Sequence, residues 1–186
     1  AAHSMGMFVY LDGARIANAT AALGGTRETL RSFTRDAGID AMTFGCTKAG
    51  GIFGEAVVFF NPDFAKRSVY VRKQVTQLHS KMRFISAQYE AMLRDDLFIT
   101  LGGQANKSAR MLFDKTKDIA SLQLASAPAA NSMFPIIATA PRKQLQEWAH
   151  FYDCDTSIDQ VRWMTAWDVT EPEIDAFVAG VRALLA

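Results

Sequence analysis

Residues 8–17 read FVYLDGARIA, an apolar run followed by an acid and a base. The run MFVYL at 7–11 is of the kind that central parallel strands show, and the Ala-rich sequence after it is typical of a helix that ends at the Gly-Gly pair 24–25. Ligands of open parallel sheets lie beyond the carboxyl ends of the strands, which is where Asp12 and Arg15 stand. The segment therefore predicts an α/β fold and two residues that contact a ligand.

The two charges also have a purely local interpretation. Asp12 can cap the following helix by accepting hydrogen bonds from its N-terminal amides, while Arg15 points to solvent. Taken alone, the pair fits this interpretation better than it fits a ligand site, so the rest of the sequence has to decide between the two.

The composition narrows the class of protein. With 186 residues, of which 49% are hydrophobic and 21% charged, the chain can bury one sizeable core or two small ones. The formal net charge of +1 comes from interspersed acids and bases, so nucleic acid is not an expected partner. Neither Cys46 nor Cys154 has a second Cys or His at metal-ligand spacing, which predicts a reducing compartment and no metal. The sequence lacks a membrane-spanning apolar run and a signal-peptide pattern, which predicts a cytoplasmic protein.

Two further strands and a helical region follow the opening segment. Residues 41–46 and 55–60 are short apolar runs that predict strands, joined by a glycine-rich turn at 49–54. Apolar residues then recur at threes and fours across residues 71–92, which predicts one long amphipathic helix or two in succession. The first part of the chain, residues 1–94, is therefore a β-α-β-β arrangement followed by helices.

Residues 95–186 form a second part, which we predict to be a small α+β domain. Its expected elements, in chain order, are a helix at 104–117, strands at 122–125 and 133–139, a helix at 141–151 and a strand at 161–167. The closing helix is marked by Thr170 as its cap, by Glu173 three positions later in a capping box, and by an apolar stripe that starts at Ile174.

A lysine stands where the second strand meets the glycine-rich turn, in the segment TFGCTKAGG at 43–51. We expect partial burial of Lys48, because burial disfavours the charged ammonium and leaves an amine that can attack an aldehyde. The alternative is an ordinary surface lysine in a loop. An acid at one strand end and a lysine at the neighbouring one suit pyridoxal phosphate. Lys48 would form a Schiff base, and Asp12 would keep the pyridine nitrogen protonated.

Four segments carry a resemblance to a known family. Residues 10–24 (YLDGARIANATAALG) and 42–60 (MTFGCTKAGGIFGEAVVFF) resemble the threonine aldolase and β-eliminating lyase family of fold-type-I pyridoxal phosphate enzymes. Residues 81–83 (KMR) are similar to the start of a helix in that family, and residues 161–177 (VRWMTAWDVTEPEIDAF) to its final strand and helix. The resemblance covers nearly the whole chain. It implies the last part of a fold-type-I large domain, residues 1–94, followed by a small α+β domain.

The resemblance also implies roles for single residues. Lys48 would carry the cofactor as a Schiff base, and Asp12 would pair with its pyridinium nitrogen. Arg15 and Arg162 would grip the substrate carboxylate, a task for which the planar guanidinium is suited. Arg15 is counted among the expected cofactor-binding residues as well.

Two further residues have weaker parallels in the family. Arg83 would lie near the cofactor phosphate or the active-site entrance, reaching into a neighbouring subunit; its alternative is a solvated arginine on an amphipathic helix. Thr47 would hydrogen-bond near the phosphate, and its alternative is an ordinary strand-end hydroxyl.

The implied reaction is the retro-aldol cleavage of a β-hydroxy-α-amino acid, such as L-threonine or L-allo-threonine, to glycine and an aldehyde. Two alternatives stay open: a related β-eliminating lyase or amino-acid racemase with the same Asp, Lys and Arg set, and a non-catalytic fragment. The family's chain is longer, and the phosphate loop and ring-stacking histidine of its front half are not identifiable here. We therefore expect the amino-terminal half of the same enzyme as a partner, in a homo-dimer or homo-tetramer, with an amino acid as the small-molecule substrate.

Overall fold

Three strands form a sheet in the first part of the chain, as seen in the computed structural model, which describes residues 1–185. The strands are β1 (Tyr10–Leu11), β2 (Ala41–Gly45) and β3 (Glu55–Phe59), in the order β1-β2-β3. β1 runs parallel to β2, and β3 runs antiparallel to β2. The strands predicted at 41–46 and 55–60 are thus confirmed, and the carboxyl ends of β1 and β2 lie at the same edge of the sheet.

β1 differs from the expectation of a central, buried strand. It is shorter than the predicted segment 7–11 and lies at an edge of the described sheet. Within residues 1–185 its pairing partner is β2 alone, and the side chains of Phe8 and Tyr10 are 69% and 59% exposed. Hydrophobicity predicted burial, but burial also needs neighbours on both edges and both faces, which the described part of the chain does not supply.

The helices of this part confirm some predictions and refine others. They are α1 (Ile16–Leu23), α2 (Arg27–Phe33), α3 (Pro62–Ala65), α4 (Ser68–Gln74) and α5 (Met82–Leu93). The predicted helix after β1 is confirmed as α1, which ends before Gly24. Residues 71–92 span two successive helices, the end of α4 and most of α5, rather than one long helix. Thr76 adopts a left-handed φ of 61° shortly after α4 ends, which interrupts the helix. α2 and α3 were not predicted from the sequence. Both are short and bury no residue, so neither has an apolar stripe that would indicate a helix.

A buried cluster holds β2 against the helices. Its buried members are Ile16, Ala17, Met42, Phe44, Cys46, Ala49, Met92, Phe98 and Ile99. Since β2 is also paired along both edges, the strand that leads into Lys48 is restrained by hydrogen bonds and by packing together.

Asp40 fastens the start of β2 to the segment before β1, and no sequence pattern indicated it. Its carboxylate accepts hydrogen bonds from the Val9 backbone N–H (2.8 Å) and from the His3 ring (2.9 Å). These bonds, that from Val9 foremost, hold the pKa of the Asp40 carboxyl below its ordinary value. The charged carboxylate therefore stabilises the register of β1 on β2.

An Asp40→Asn substitution is expected to make the free energy of unfolding depend less on pH in the acidic range. Because folding lowers this pKa, the stabilisation is complete above the ordinary aspartate value of 3.8 and is lost as the pH falls through the folded-state pKa. The variant should be less stable than the parent protein at neutral pH and lose less on acidification, as urea unfolding at a series of pH values would show. Asp168→Asn, at an exposed aspartate, is the control. A variant with the parent's pH dependence would contradict the assignment.

The chain divides into two compact units after Leu101. The division falls within α6 (Leu97–Thr116), later than the predicted boundary between residues 94 and 95. α6 also begins earlier than its predicted start at residue 104, because the glycine pair at 102–103 lies inside the helix.

The second unit contains a small antiparallel sheet with the order β4-β6-β5. Its elements after α6 are β4 (Ser132–Met133), α7 (Thr139–Trp148), β5 (Tyr152–Asp155), β6 (Gln160–Met164) and α8 (Glu171–Leu185). The strand predicted at 161–167 is confirmed as β6, and the helix predicted at 141–151 as α7. The strands predicted at 122–125 and 133–139 are wrong in extent: Gln123 and Ile136 form an isolated bridge, and the regular pairing nearby is limited to β4.

The Glu173 half of the predicted capping box of α8 is confirmed. The backbone N–H and the hydroxyl of Thr170 donate to the Glu173 carboxylate over 2.8 and 2.7 Å. Both bonds, that from the backbone first, hold the pKa of the Glu173 carboxyl below its ordinary value. The buried residues of the predicted stripe are Ile174, Val178, Val181 and Leu185.

Among residues 1–185, no helix combines the length and the apolar character that crossing a membrane requires.

Candidate active site

Asp12 lies at the edge of the first sheet where β1 and β2 end. Its side chain is exposed, and its Oδ1 accepts hydrogen bonds from the Ala14 N–H (3.0 Å) and from the Thr43 hydroxyl (3.4 Å). The first bond closes a turn ahead of α1, and the second ties the carboxylate to β2. Asp12 is therefore an oriented acceptor at the strand ends.

A close backbone approach explains the glycine that follows Asp12. Gly13 N–H donates to the Thr43 hydroxyl (3.0 Å), and Gly13 C=O accepts from Gly45 N–H (3.2 Å). A Cβ added at Gly13 would stand 2.0 Å from the carbonyl oxygen of Thr43, and one at Gly45 would stand 2.7 Å from that of Ala14. The turn between β1 and α1 therefore lies directly on β2, which fixes the position of Asp12.

Arg15 occupies the N-cap position of α1 and is half-buried. The local interpretation of the two charges placed Asp12 on the N-terminal amides of the helix and Arg15 in solvent. In the structure the amide that Asp12 binds, that of Ala14, precedes the helix, and Arg15 is only partly exposed.

Lys48 lies in a 3₁₀ turn, Thr47–Ala49, directly after β2. Its side chain is exposed, so the partial burial that we expected is wrong for the described residues. Thr47 is exposed beside it. Asp12 and Lys48 thus follow the ends of two paired parallel strands, at one edge of one sheet.

Cys46 is a structural neighbour of Lys48. Its side chain has no exposed surface, and its Sγ lies 3.3 Å from the Met92 Sδ. Burial raises the pKa of the Cys46 thiol, which makes the thiolate scarce. We therefore assign Cys46 to packing rather than to chemistry.

Helix α5 contributes two contacts that the sequence did not reveal. The Tyr89 hydroxyl donates to the Phe44 carbonyl (2.9 Å), and the Gln88 Oε1 accepts from the Ile52 N–H (2.7 Å). Burial foremost raises the pKa of Tyr89 to about 12, so the phenol stays a donor. In the sequence, Tyr89 is one position of the apolar repeat across residues 71–92, and Gln88 carries no signal.

Two of the predicted site residues, Arg83 and Arg162, belong to other elements of the chain. Arg83 is exposed near the start of α5, with its guanidinium carbon 5.1 Å from the Phe84 ring centroid. Arg162 belongs to β6 of the second unit, opposite Tyr152 of β5, and its guanidinium carbon lies 6.0 Å from the Tyr152 ring centroid. Their roles toward cofactor and substrate stay predictions.

Residues 1–140 match the family model described as beta-eliminating lyase. The chain belongs to the beta-eliminating lyase family. It is 34% identical over 181 residues to the low specificity L-threonine aldolase of Pseudomonas sp. (strain NCIMB 10558), across 97% of this chain and 51% of that protein. A low specificity L-threonine aldolase of Pseudomonas aeruginosa is also 34% identical, over 192 residues, with the same coverage of both chains. The chain thus spans about half the length of the curated relatives it matches.

Solved structures with the same fold include a threonine aldolase. The Leishmania major threonine aldolase matches with a TM-score of 0.85 at 30% identity, over 99% of this chain and 54% of that chain. The Sphingomonas wittichii serine palmitoyltransferase matches with a TM-score of 0.70 at 13% identity, over 98% of this chain and 49% of that chain, a likeness of fold alone. The predicted family and the fold-type-I architecture are therefore confirmed.

Proposed function

We propose that this chain belongs to a pyridoxal phosphate-dependent lyase that cleaves a β-hydroxy-α-amino acid of the threonine type to glycine and an aldehyde. One observation carries the proposal: Asp12 and Lys48 follow the ends of two paired parallel strands in a beta-eliminating lyase family chain. The name of the 34% identical relatives, L-threonine aldolase, supplies the substrate class. Since the chain spans about half of those relatives, we propose that the rest of the pocket comes from the part of the enzyme that matches their other half.

The side chains at this edge of the sheet fit the cofactor by their chemistry. Lys48 offers an exposed primary amine that can form a Schiff base with an aldehyde, and Asp12 offers an exposed carboxylate for a protonated pyridine nitrogen. When bound, pyridoxal phosphate supplies an electron sink for the carbanion that the cleavage leaves. We assign Thr47 and Arg83 to the neighbourhood of the phosphate, on the resemblance of their segments to the family.

Asp12 holds a proton on the cofactor nitrogen in this proposal. Its two hydrogen bonds, from Ala14 and Thr43, both end on Oδ1 and fix the direction of the carboxylate. We assign the other oxygen, Oδ2, to the ring nitrogen, because an ionised carboxylate has acceptor capacity on both oxygens. The chain prepares this geometry through the backbone contact of Gly13 with β2.

Arg15 and Arg162 bind the substrate carboxylate in this proposal. A guanidinium presents its donors in a planar fork that matches a carboxylate better than an ammonium does. The half-buried position of Arg15 at the start of α1 and the ring of Tyr152 beside Arg162 both limit the orientations of these side chains. Fixing the carboxylate orients the bond between Cα and Cβ, which selects the bond that breaks.

A β-elimination is the second candidate, and the name of the matching family model favours it. The same carboxylate, amine and guanidinium groups serve both reactions, so the products have to distinguish them.

The test is a product analysis of the purified protein with every polypeptide that accompanies it. After incubation with pyridoxal phosphate and L-threonine or L-allo-threonine, we expect glycine and acetaldehyde in equal amounts. Ammonia with a 2-oxo acid would support the β-elimination instead, and inversion at Cα alone, as in the conversion of L-threonine to D-allo-threonine, would support a racemase. The matched control is 1-aminopropan-2-ol, which lacks the carboxylate and is not expected to be cleaved. A protein that forms none of these products and no Schiff base would be non-catalytic.

A further inference from the structure

Gln88 connects α5 to the loop that carries Lys48. Its Oε1 accepts a hydrogen bond from the Ile52 N–H over 2.7 Å, and its Nε2 donates to the Phe84 carbonyl of its own helix over 3.1 Å. An N–H can only donate and a carbonyl can only accept, so the two partners fix the orientation of the amide. The side chain is thus held by α5 at one end and holds the loop at the other.

The loop between β2 and β3 is held internally by backbone hydrogen bonds at Cys46. Its ends are joined by the Cys46 N–H bond to the Gly54 carbonyl (3.4 Å), and Cys46 C=O accepts from Ala49 and Gly51. Gly50 and Gly54 have left-handed φ values of 113° and 124°, which only glycine adopts readily. Lys48 stands in this loop, so contacts that fix the loop from outside add to these bonds in setting its position.

α5 supplies that support along one face. Ile85 lies under Gly54, where an added Cβ would come within 2.8 Å of the Ile85 Cγ2. Tyr89 binds the carbonyl of Phe44, and Met92 contacts Cys46. These three residues hold the strand ends on either side of the loop. Within the loop, Ala49 is buried in the core and the Phe53 ring contacts that of His79, while Gln88 supplies the side-chain hydrogen bond from α5, at Ile52.

We propose that Gln88 is a positioning residue for Lys48, acting through the Ile52 amide. The inference rests on the proposed function, in which Lys48 forms a Schiff base with pyridoxal phosphate. The hydrogen bond to Gln88 restricts the motion of the loop backbone at Ile52. This restriction raises the fraction of molecules in which the Lys48 amine is placed to react. Loss of one such hydrogen bond is expected to lower that fraction roughly two- to tenfold.

The experiment measures the rate of Schiff-base formation at Lys48 with pyridoxal phosphate, by the rise of its absorbance band in the intact protein. Gln88→Met has a similar length and no acceptor, and we expect it to react roughly two- to tenfold more slowly. Gln88→Glu keeps an acceptor for the Ile52 N–H but loses the donor to the Phe84 carbonyl, so we expect a rate between those of Gln88→Met and the parent protein. Gln144→Met makes the same change at an exposed position on α7 and should leave the rate unchanged.

Melting temperatures of the same samples separate positioning from general destabilisation. The proposal holds if Gln88→Met slows the reaction, Gln88→Glu partly restores it, and both melt within the range set by Gln144→Met. It is overturned if Gln88→Met reacts at the parent rate, or if Gln88→Glu is as slow as Gln88→Met. A parent protein in which borohydride fixes no label on Lys48 overturns the proposed function itself, a result that is distinct from an unchanged Gln88 variant.

Discussion

Lys48→Ala is expected to lose the cleavage of threonine by on the order of 10³-fold or more, in the range seen when a covalent catalytic group is removed. The amine of Lys48 is the group that we assign to the covalent bond with the cofactor, and alanine offers no nucleophile in its place. Because the side chain is exposed, its removal leaves no cavity and buries no unpaired group. The folded state should therefore be retained, and the loss should appear in turnover rather than in stability.

Two measurements check this prediction. Glycine release is followed with saturating pyridoxal phosphate, and the borohydride-reduced protein is digested to find the labelled lysine. Lys48→Arg keeps the positive charge but cannot form a Schiff base, so it should be as inactive as Lys48→Ala. Lys143→Ala, at an exposed lysine of α7, is the matched control and should keep full activity. A label that stays in the Lys48→Ala protein at another lysine, with activity retained, would contradict the assignment.

The elements that could be predicted from sequence are those whose signal is local. α8 has an apolar stripe within its own fifteen residues and a Thr-Glu pair at its start, and the structure confirms the stripe and the bond from Thr170 to Glu173. β2 and β3 are apolar runs bounded by turn residues, and they also form where predicted. β5 shows the opposite case, because its sequence YDCD is exposed at every position and carries no strand pattern. It becomes a strand by pairing with β6, and such a partner cannot be read from the segment alone.

The candidate site divides in the same way. Asp12 and Lys48 could be selected because each follows an apolar run, and parallel pairing then brings the run ends to one edge. The exposure of Lys48 could not be foreseen, since it depends on what covers the loop. Gln88 and Tyr89 could not be found because their contacts cross 36 and 45 positions of the chain. A polar residue on a helix gives no sign of such a contact until the helix is packed.

Gly13→Ala is expected to destabilise the first unit by about 3 kcal/mol or more, a large value for the addition of one methyl group. The added Cβ would stand 2.0 Å from the Thr43 carbonyl oxygen, far inside van der Waals contact. Thr43 belongs to β2, which is paired with β1 on one side and β3 on the other, so its carbonyl cannot retreat without breaking the sheet. The turn itself must move, and it carries Asp12 and Arg15 with it.

Urea unfolding measures the loss of stability. A Gly25→Ala variant serves as the control, because it distinguishes the free energy lost to a steric clash from that lost to an unfavourable backbone conformation. Gly25 has a left-handed φ of 72° and an open side, with the nearest atom, the Ile99 Cγ2, 3.9 Å from an added Cβ. Alanine there should cost only about 1–2 kcal/mol, the penalty of the left-handed conformation. Gly13 is not in that conformation, so its whole cost comes from the collision with Thr43. Equal losses in the two variants would show that β2 can yield at this point. A larger loss in Gly13→Ala, with weaker cofactor binding in the molecules that still fold, would show that this one glycine sets the position of Asp12.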